Sequence, residues 1–300
     1  MRRRRVCIAA SAALLQACTA TGGAGGGGPA PEADAARPFA PGRQTIRLPA
    51  RLGPGGATVR LVTTVLCPER PPPHPLLVFH HGSTGRGNDP ALFGRTHFSE
   101  AVATFFVSRG WLVATPMRRG RGGSDGEYAE GLGPHGYSGE YPAARAGFER
   151  ALEDAHAATE WLLARPEADR RRVLIGGQSR GGALAIGYAA RHPATARGVL
   201  NFVGGWLSEG FGDADRVNRD LFRAAGAGGG PPSLWLYGGN DRYYSLPYSR
   251  GNFEAFQDAG GRGEFVSFDV GRDFSGHALQ DWPSMWGPHV ERFLREVRFA

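Results

Sequence analysis

From Arg43 onward the chain alternates short β-rich apolar runs with stretches whose apolar positions recur at helical spacing. Arg43–Leu48 and Thr58–Leu66 alternate apolar and polar positions and predict two opening strands. Leu76–His80 is a short apolar run after the helix-breaking Pro71-Pro72-Pro73, and it predicts a third. A helix over Phe98–Val107 then leads to a strand at Trp111–Thr115, and a long amphipathic helix over Ala143–Leu163 leads to Val173–Ile175. Next come a helix at Gly182–Arg191, strands at Val199–Val203 and Leu234–Tyr237, a helix at Phe253–Ala259, a strand at Glu264–Phe268 and a final helix toward Phe299. Two opening strands followed by alternating strand and helix predict an α/β fold with a mostly parallel sheet and helices on both faces. In such folds chemistry gathers at the carboxyl ends of the strands.

The N-terminus breaks this pattern. Arg2, Arg3, Arg4 and Arg5 precede an apolar run from Val6 to Leu15 and then Leu15-Gln16-Ala17-Cys18, the layout of an export signal over residues 1–17. The run is too short to span a bilayer, and no longer one follows. A Cys directly after Leu-x-Ala resembles the lipobox of bacterial lipoproteins, which makes Cys18 the expected lipidation site; an ordinary secretory signal with an incidental Cys is the alternative. The expected location is the bacterial cell envelope, with the folded domain outside the cytoplasmic membrane and the membrane contacted through the N-terminal lipid. Residues 18–42 are dominated by Gly, Ala and Pro and read as a tether, leaving residues 43–300 as one domain.

Composition narrows the chemistry. All 35 basic residues are Arg, so Schiff-base lysines, Ser-Lys dyads and the P-loop lysine are excluded. The net charge of +7 falls to about +3 without the four leading arginines, so no nucleic-acid partner is expected. Of the three cysteines, Cys7 leaves with the signal and Cys18 is acylated, which leaves Cys67 without a disulfide partner.

The pentapeptide G-x-S-x-G occurs twice. Gly177-Gln178-Ser179-Arg180-Gly181 directly follows a strand and precedes an apolar helix, the setting of a nucleophile elbow. The sharp turn brings strand and helix so close that only glycine fits two residues to either side of the serine. Gly122-Gly123-Ser124-Asp125-Gly126 sits in a Gly/Arg-rich stretch with no helix following, and Ser124 reads as loop.

A serine hydroxyl needs a general base, and that base needs a third group to hold its tautomer. Among His192, His277 and His289, only His277 lies in a loop between a strand and the last helix; His192 and His289 read as structural. Asp241 follows the strand ending at Tyr237 by four residues and is the expected acid, with Asp213 and Asp215 as alternatives in an earlier loop; Asp269 and Asp273 lie close to His277 in sequence. The oxyanion donors are expected to be the N–H of Arg180 and that of Ser83 in the loop His81-Gly82-Ser83, with Gly82 as the alternative to Ser83. His80 and His81 point to opposite sides of a strand end and no acidic partner accompanies them, so no metal site is expected.

The ordered set His81-Gly82, Gly177-x-Ser179-x-Gly181, Asp241 and His277 resembles the α/β-hydrolase superfamily. Arg119-Gly120-Arg121-Gly122-Gly123-Ser124-Asp125-Gly126 is similar to the loop after the fourth strand in its dienelactone-hydrolase-like and prolyl-oligopeptidase-like branches. The resemblance implies an eight-stranded sheet and a Ser-His-Asp hydrolase needing no metal or organic cofactor, with a small-molecule ester as substrate. Ser in place of Cys means that lactone hydrolysis is not inherited, and roughly 30 residues between tether and third strand leave no room there for a propeller. A serine peptidase or acyltransferase shares the same chemistry, and a catalytically inactive envelope lipoprotein is the reading from another class. Substrate choice is expected from the segment between Val203 and Leu234 and the loop Gly126–Tyr141, with Trp206, Phe211, Tyr128, Tyr137 and Tyr141 either lining a pocket or packing on the sheet.

Overall fold

A computed structural model describes residues 37–53 and 55–299. The export signal, Cys18 and most of the tether lie outside the described residues. The strands are β1 (Gly42–Leu52), β2 (Ala57–Cys67), β3 (His74–His80), β4 (Leu112–Pro116), β5 (Leu132–Gly133), β6 (Gly136–Tyr137), β7 (Ala168–Gln178), β8 (Gly198–Phe202), β9 (Ser233–Gly238) and β10 (Gly263–Phe268). Eight of them form one sheet in the order β1-β2-β4-β3-β7-β8-β9-β10, and β5 and β6 form a separate hairpin. β1 and β2 pair antiparallel, β2 meets β4 antiparallel, and every later pairing in the large sheet is parallel.

Burial follows this order. β8 and β9 are buried along their whole length, as parallel strands covered on both faces must be, which is why they read as continuous apolar runs. β1, at the sheet edge, alternates between exposed and covered positions. The helices are α1 (Glu100–Val107), α2 (Tyr141–Leu163), α3 (Arg180–Arg191), α4 (Ala214–Ala227), α5 (Leu246–Asp258) and α6 (Pro283–Glu296). α2 to α5 touch one another in succession, and α1 packs with α6. α2 buries Ala144, Phe148, Ala151, Leu152, Ala155, Ala158 and Leu162, a stripe at helical spacing whose alanines let the helix approach closely.

Two elements depart from the sequence reading. Residues 214–227, expected to be connecting segment, form the regular helix α4; its Ala214, Val217, Leu221, Phe222 and Ala225 carry the period. The folded domain also begins before Arg43: Phe39, within the stretch read as tether, is buried, and its N–H donates to Glu167 Oε1 at 2.8 Å. Cys67 is a free, buried thiol. Among the described residues no helix is long and apolar enough to cross a membrane.

Candidate active site

β3, β7, β8, β9 and β10 are neighbours in the parallel part of the sheet, so the loops leaving their carboxyl ends converge. Ser179 stands between β7 and α3 with φ 57° and ψ −124°, a backbone conformation that non-glycine residues rarely adopt. The crowding is measurable. A Cβ on Gly177 would lie 2.2 Å from the Gly181 carbonyl oxygen, and one on Gly181 would lie 2.0 Å from the His80 oxygen. Any side chain at either position would force β3, β7 and α3 apart.

Asp241 and His277, contributed by the loops after β9 and β10, meet: His277 Nδ1 lies 2.9 Å from Asp241 Oδ2. The other oxygen of Asp241 accepts the N–H groups of Tyr243 at 2.8 Å and Tyr244 at 3.2 Å. With its side chain 1% exposed, the carboxylate has no freedom to turn away. The Gln178 amide, beside Ser179, donates to the His277 carbonyl at 3.1 Å, which ties the histidine loop to the elbow. This arrangement orients an imidazole with Nδ1–H on the acid and Nε2 free to take a proton.

The competing residues are occupied elsewhere. Asp213 accepts the Tyr141 N–H at 2.8 Å, and Asp215 pairs with Arg219 on α4. His192 stacks on His156 at 4.1 Å, and His289 packs edge-on against Phe268 at 5.3 Å. Ser124 Oγ accepts the Val62 N–H at 2.8 Å and donates to the Met117 carbonyl at 3.0 Å, a loop staple and not a nucleophile setting.

The loop after β3 leans on the elbow: a Cβ on Gly82 would lie 3.1 Å from Ser179 Cβ. The N–H groups of Ser83 and Arg180 engage no acceptor among the described residues. Arg180 opens α3, so its N–H belongs to a helix N-terminus, where partial positive charge gathers. His81 hands Nδ1–H to the Gly82 carbonyl at 2.8 Å and receives the Arg118 N–H on Nε2 at 3.4 Å. Burial, reinforced by Arg118, pulls its pKa well below the usual range, and the same causes bring fully buried His80 to about 3. Both imidazoles are therefore neutral parts of the strand end that carries the loop.

Two tyrosines shortly after Asp241, Tyr243 and Tyr244, were not anticipated. The Tyr244 hydroxyl donates to the Gly205 carbonyl at 2.8 Å; burial raises its pKa, so it stays neutral. The Tyr243 ring lies 4.5 Å from that of His277 and is exposed. The only signal was the pair itself, Asp241-Arg242-Tyr243-Tyr244. Of the aromatics proposed as pocket walls, Trp206 and Tyr128 are buried, and the Trp206 indole donates to the Ala144 carbonyl at 2.8 Å. Tyr137 and Tyr141 are partly buried, whereas Phe211 is exposed.

Residues 55–208 match the family described as X-Pro dipeptidyl-peptidase (S15 family). The chain belongs to the S15 peptidase family. This S15 chain also shares the α/β-hydrolase fold with solved structures at low identity. The Butyrivibrio proteoclasticus protein Est1E with ferulic acid bound aligns at TM-score 0.55 and 14% identity, over 79% of this chain and 95% of its own. The Pyrococcus furiosus esterase Pf2001 aligns at TM-score 0.58 and 14% identity, over 84% and 90%. An acylaminoacyl peptidase from Pyrococcus horikoshii aligns at TM-score 0.56 and 18% identity, over 85% of this chain but 41% of its own. No curated protein matches this S15-family sequence. Esterases and serine peptidases on the same fold support a serine hydrolase.

Proposed function

We propose that the protein hydrolyses carboxylic esters by a two-step acyl transfer on Ser179. The observation that carries this reading is the contact of His277 Nδ1 with Asp241 at 2.9 Å, on a loop that Gln178 ties to the strained elbow of Ser179. His277 Nε2 takes the Ser179 proton as the oxygen attacks the ester carbonyl, and Asp241 stabilises the imidazolium. The N–H groups of Ser83 and Arg180 receive the developing oxyanion. His277 then protonates the departing alcohol, and water activated by the same imidazole releases the acid.

The leaving group must sit against His277, because His277 delivers its proton. Tyr243 lies there, and Phe211, Tyr243 and Phe274 are the exposed large apolar side chains among the described residues. These three come from the loops after β8, β9 and β10, so we propose an apolar or aromatic alcohol as the leaving group. The name of the Pyrococcus furiosus esterase, matched over 90% of its length, supports an ester substrate. The family description favours a second reading, cleavage of a peptide after an X-Pro pair, which the same triad performs with an amine leaving group.

Turnover of aryl esters of increasing acyl length, set beside aminoacyl-prolyl arylamides, separates the two. The ester reading expects kcat/KM for aryl esters to exceed that for the arylamides by at least a hundredfold. Preference for the arylamides would replace it with the peptidase. Export and anchoring through lipid on Cys18 remain part of the proposal and rest on the sequence alone.

A further inference from the structure

Both expected oxyanion donors are wired to one buried carboxylate. Glu130 accepts Arg118 Nε and Nη2, the latter at 3.2 Å, and the Tyr128 hydroxyl at 3.2 Å. Its carbonyl accepts Arg180 Nη1 at 3.0 Å. Burial pushes the Glu130 carboxyl up, but the charge and hydrogen bonds of Arg118, with Arg180 and Arg121 behind, outweigh it and hold the group ionised.

From this hub two arms reach the loop after β3. Arg118 donates to the carbonyls of His81 at 2.9 Å and Gly82 at 3.3 Å. On the other arm Tyr128 donates to Glu130, so Tyr137 donates to the Tyr128 oxygen, and the Tyr137 oxygen accepts the Thr84 N–H at 3.0 Å. Ser83 is thereby gripped on both sides. The Tyr137 ring also carries the Arg180 guanidinium at 3.5 Å from its centroid, while Arg180 Nε donates to the Trp206 carbonyl at 2.8 Å. Tyr137 belongs to the two-stranded hairpin of β5 and β6, which among the described residues stands outside the main sheet. Its side chain meets Thr84 in the oxyanion loop, Tyr128 of the hub and Arg180.

We propose that Tyr137 is the positioning residue of the oxyanion hole, fixing the Ser83 N–H through its hydroxyl and Arg180 through its ring. The proposal rests on the hydrolase reading above. Tyr137→Phe keeps the ring and removes the hydroxyl that anchors Thr84 and donates to Tyr128. Loosening a donor costs less than removing it, and removal costs about 10²–10³ in kcat. The expected loss for Tyr137→Phe is therefore about 10- to 100-fold in kcat on an aryl ester, with KM within twofold. Affinity for a trifluoromethyl ketone, which forms the oxyanion adduct, should fall by the same factor as kcat/KM, and Ser179 labelling by a fluorophosphonate should slow in parallel. A merely structural role would not couple these three readouts. Tyr188→Phe, which removes a hydroxyl outside this network, should change none of them. Wild-type rates in Tyr137→Phe, a loss confined to KM, or an equal loss in Tyr188→Phe would overturn the proposal while leaving the hydrolase reading intact. A wild-type protein that is not labelled at all would overturn both.

Discussion

The histidines at the strand end beneath the oxyanion loop should each take stability away in acid, and His80 allows the effect to be isolated. Its imidazole is fully buried with neither ring nitrogen hydrogen-bonded, and burial first, then Arg118, brings its pKa to about 3. The unfolded chain titrates near 6.5. Between these values the unfolded state holds a proton that the native state refuses, so stability is lost as pH falls from about 6.5 toward 3. Each such group costs about 1.4 kcal/mol per pH unit within that window, or about 2 kcal/mol between pH 7.5 and 5.0. His81 and His97, the latter brought to about 4 mainly by burial, act in the same direction. Asp154, raised to about 6 by burial against the pull of Arg119, gains a proton over the same window and opposes them. Those contributions cancel in a comparison with His80→Leu, whose side chain is near in volume and does not titrate. Urea unfolding followed by far-UV circular dichroism at pH 7.5 and 5.0 should show His80→Leu losing about 2 kcal/mol less than wild type. Equal losses in the two proteins would refute the assignment of a neutral, unpaired imidazole to this position.

The remaining expectations concern the site and its frame. Asp241→Asn should keep the fold and lower kcat by up to about 10⁴-fold, as the corresponding change does in a chymotrypsin-like triad, whereas Asp213→Asn should retain most of the activity; steady-state rates on one aryl ester check both. Ser124→Ala should leave fluorophosphonate labelling intact while costing about 1–3 kcal/mol in chemical denaturation, because it orphans the buried Val62 N–H. Gly181→Ala should fail to yield folded, labelled protein, since its methyl would sit 2.0 Å from the His80 oxygen; a soluble variant with wild-type labelling would contradict the elbow. Cys18→Ser should move the protein from the membrane fraction to the soluble fraction or block its processing, read by fractionation and intact mass, and an unmodified mature N-terminus in soluble wild type would contradict lipidation.

The sequence carried the fold where burial is simple. β8 and β9, covered on both faces, read as plain apolar runs, and the Gly177-x-Ser179-x-Gly181 elbow was legible because its glycines answer to a steric demand. α4 escaped because its buried face includes Asn218, whose amide oxygen accepts the Trp206 N–H at 2.7 Å and whose nitrogen donates to the Leu207 carbonyl at 2.7 Å. A polar residue fully paid for by hydrogen bonds looks, in a sequence, like an interruption of the apolar stripe. β7 was read short for a related reason: its first half, Asp169-Arg170-Arg171-Arg172, is charged, yet it belongs to the strand, which meets β3 at Ala168 before a register shift. At the site, Asp241 and His277 were singled out by loop position, and the two side chains do meet. The Glu130 hub did not follow. A buried Glu-Arg-Tyr network joins residues 81–84, 118, 128–137 and 180, and no local spacing encodes which lone charges in glycine-rich loops will be drawn inside to meet.

Whether Ser179 is the nucleophile is tested most directly by covalent labelling. A fluorophosphonate probe on the purified protein, followed by proteolysis and mass mapping, should place the adduct on the peptide containing Ser179, and Ser179→Ala should take up no probe. An adduct on Ser124, or labelling that persists in the Ser179 variant, would contradict the account.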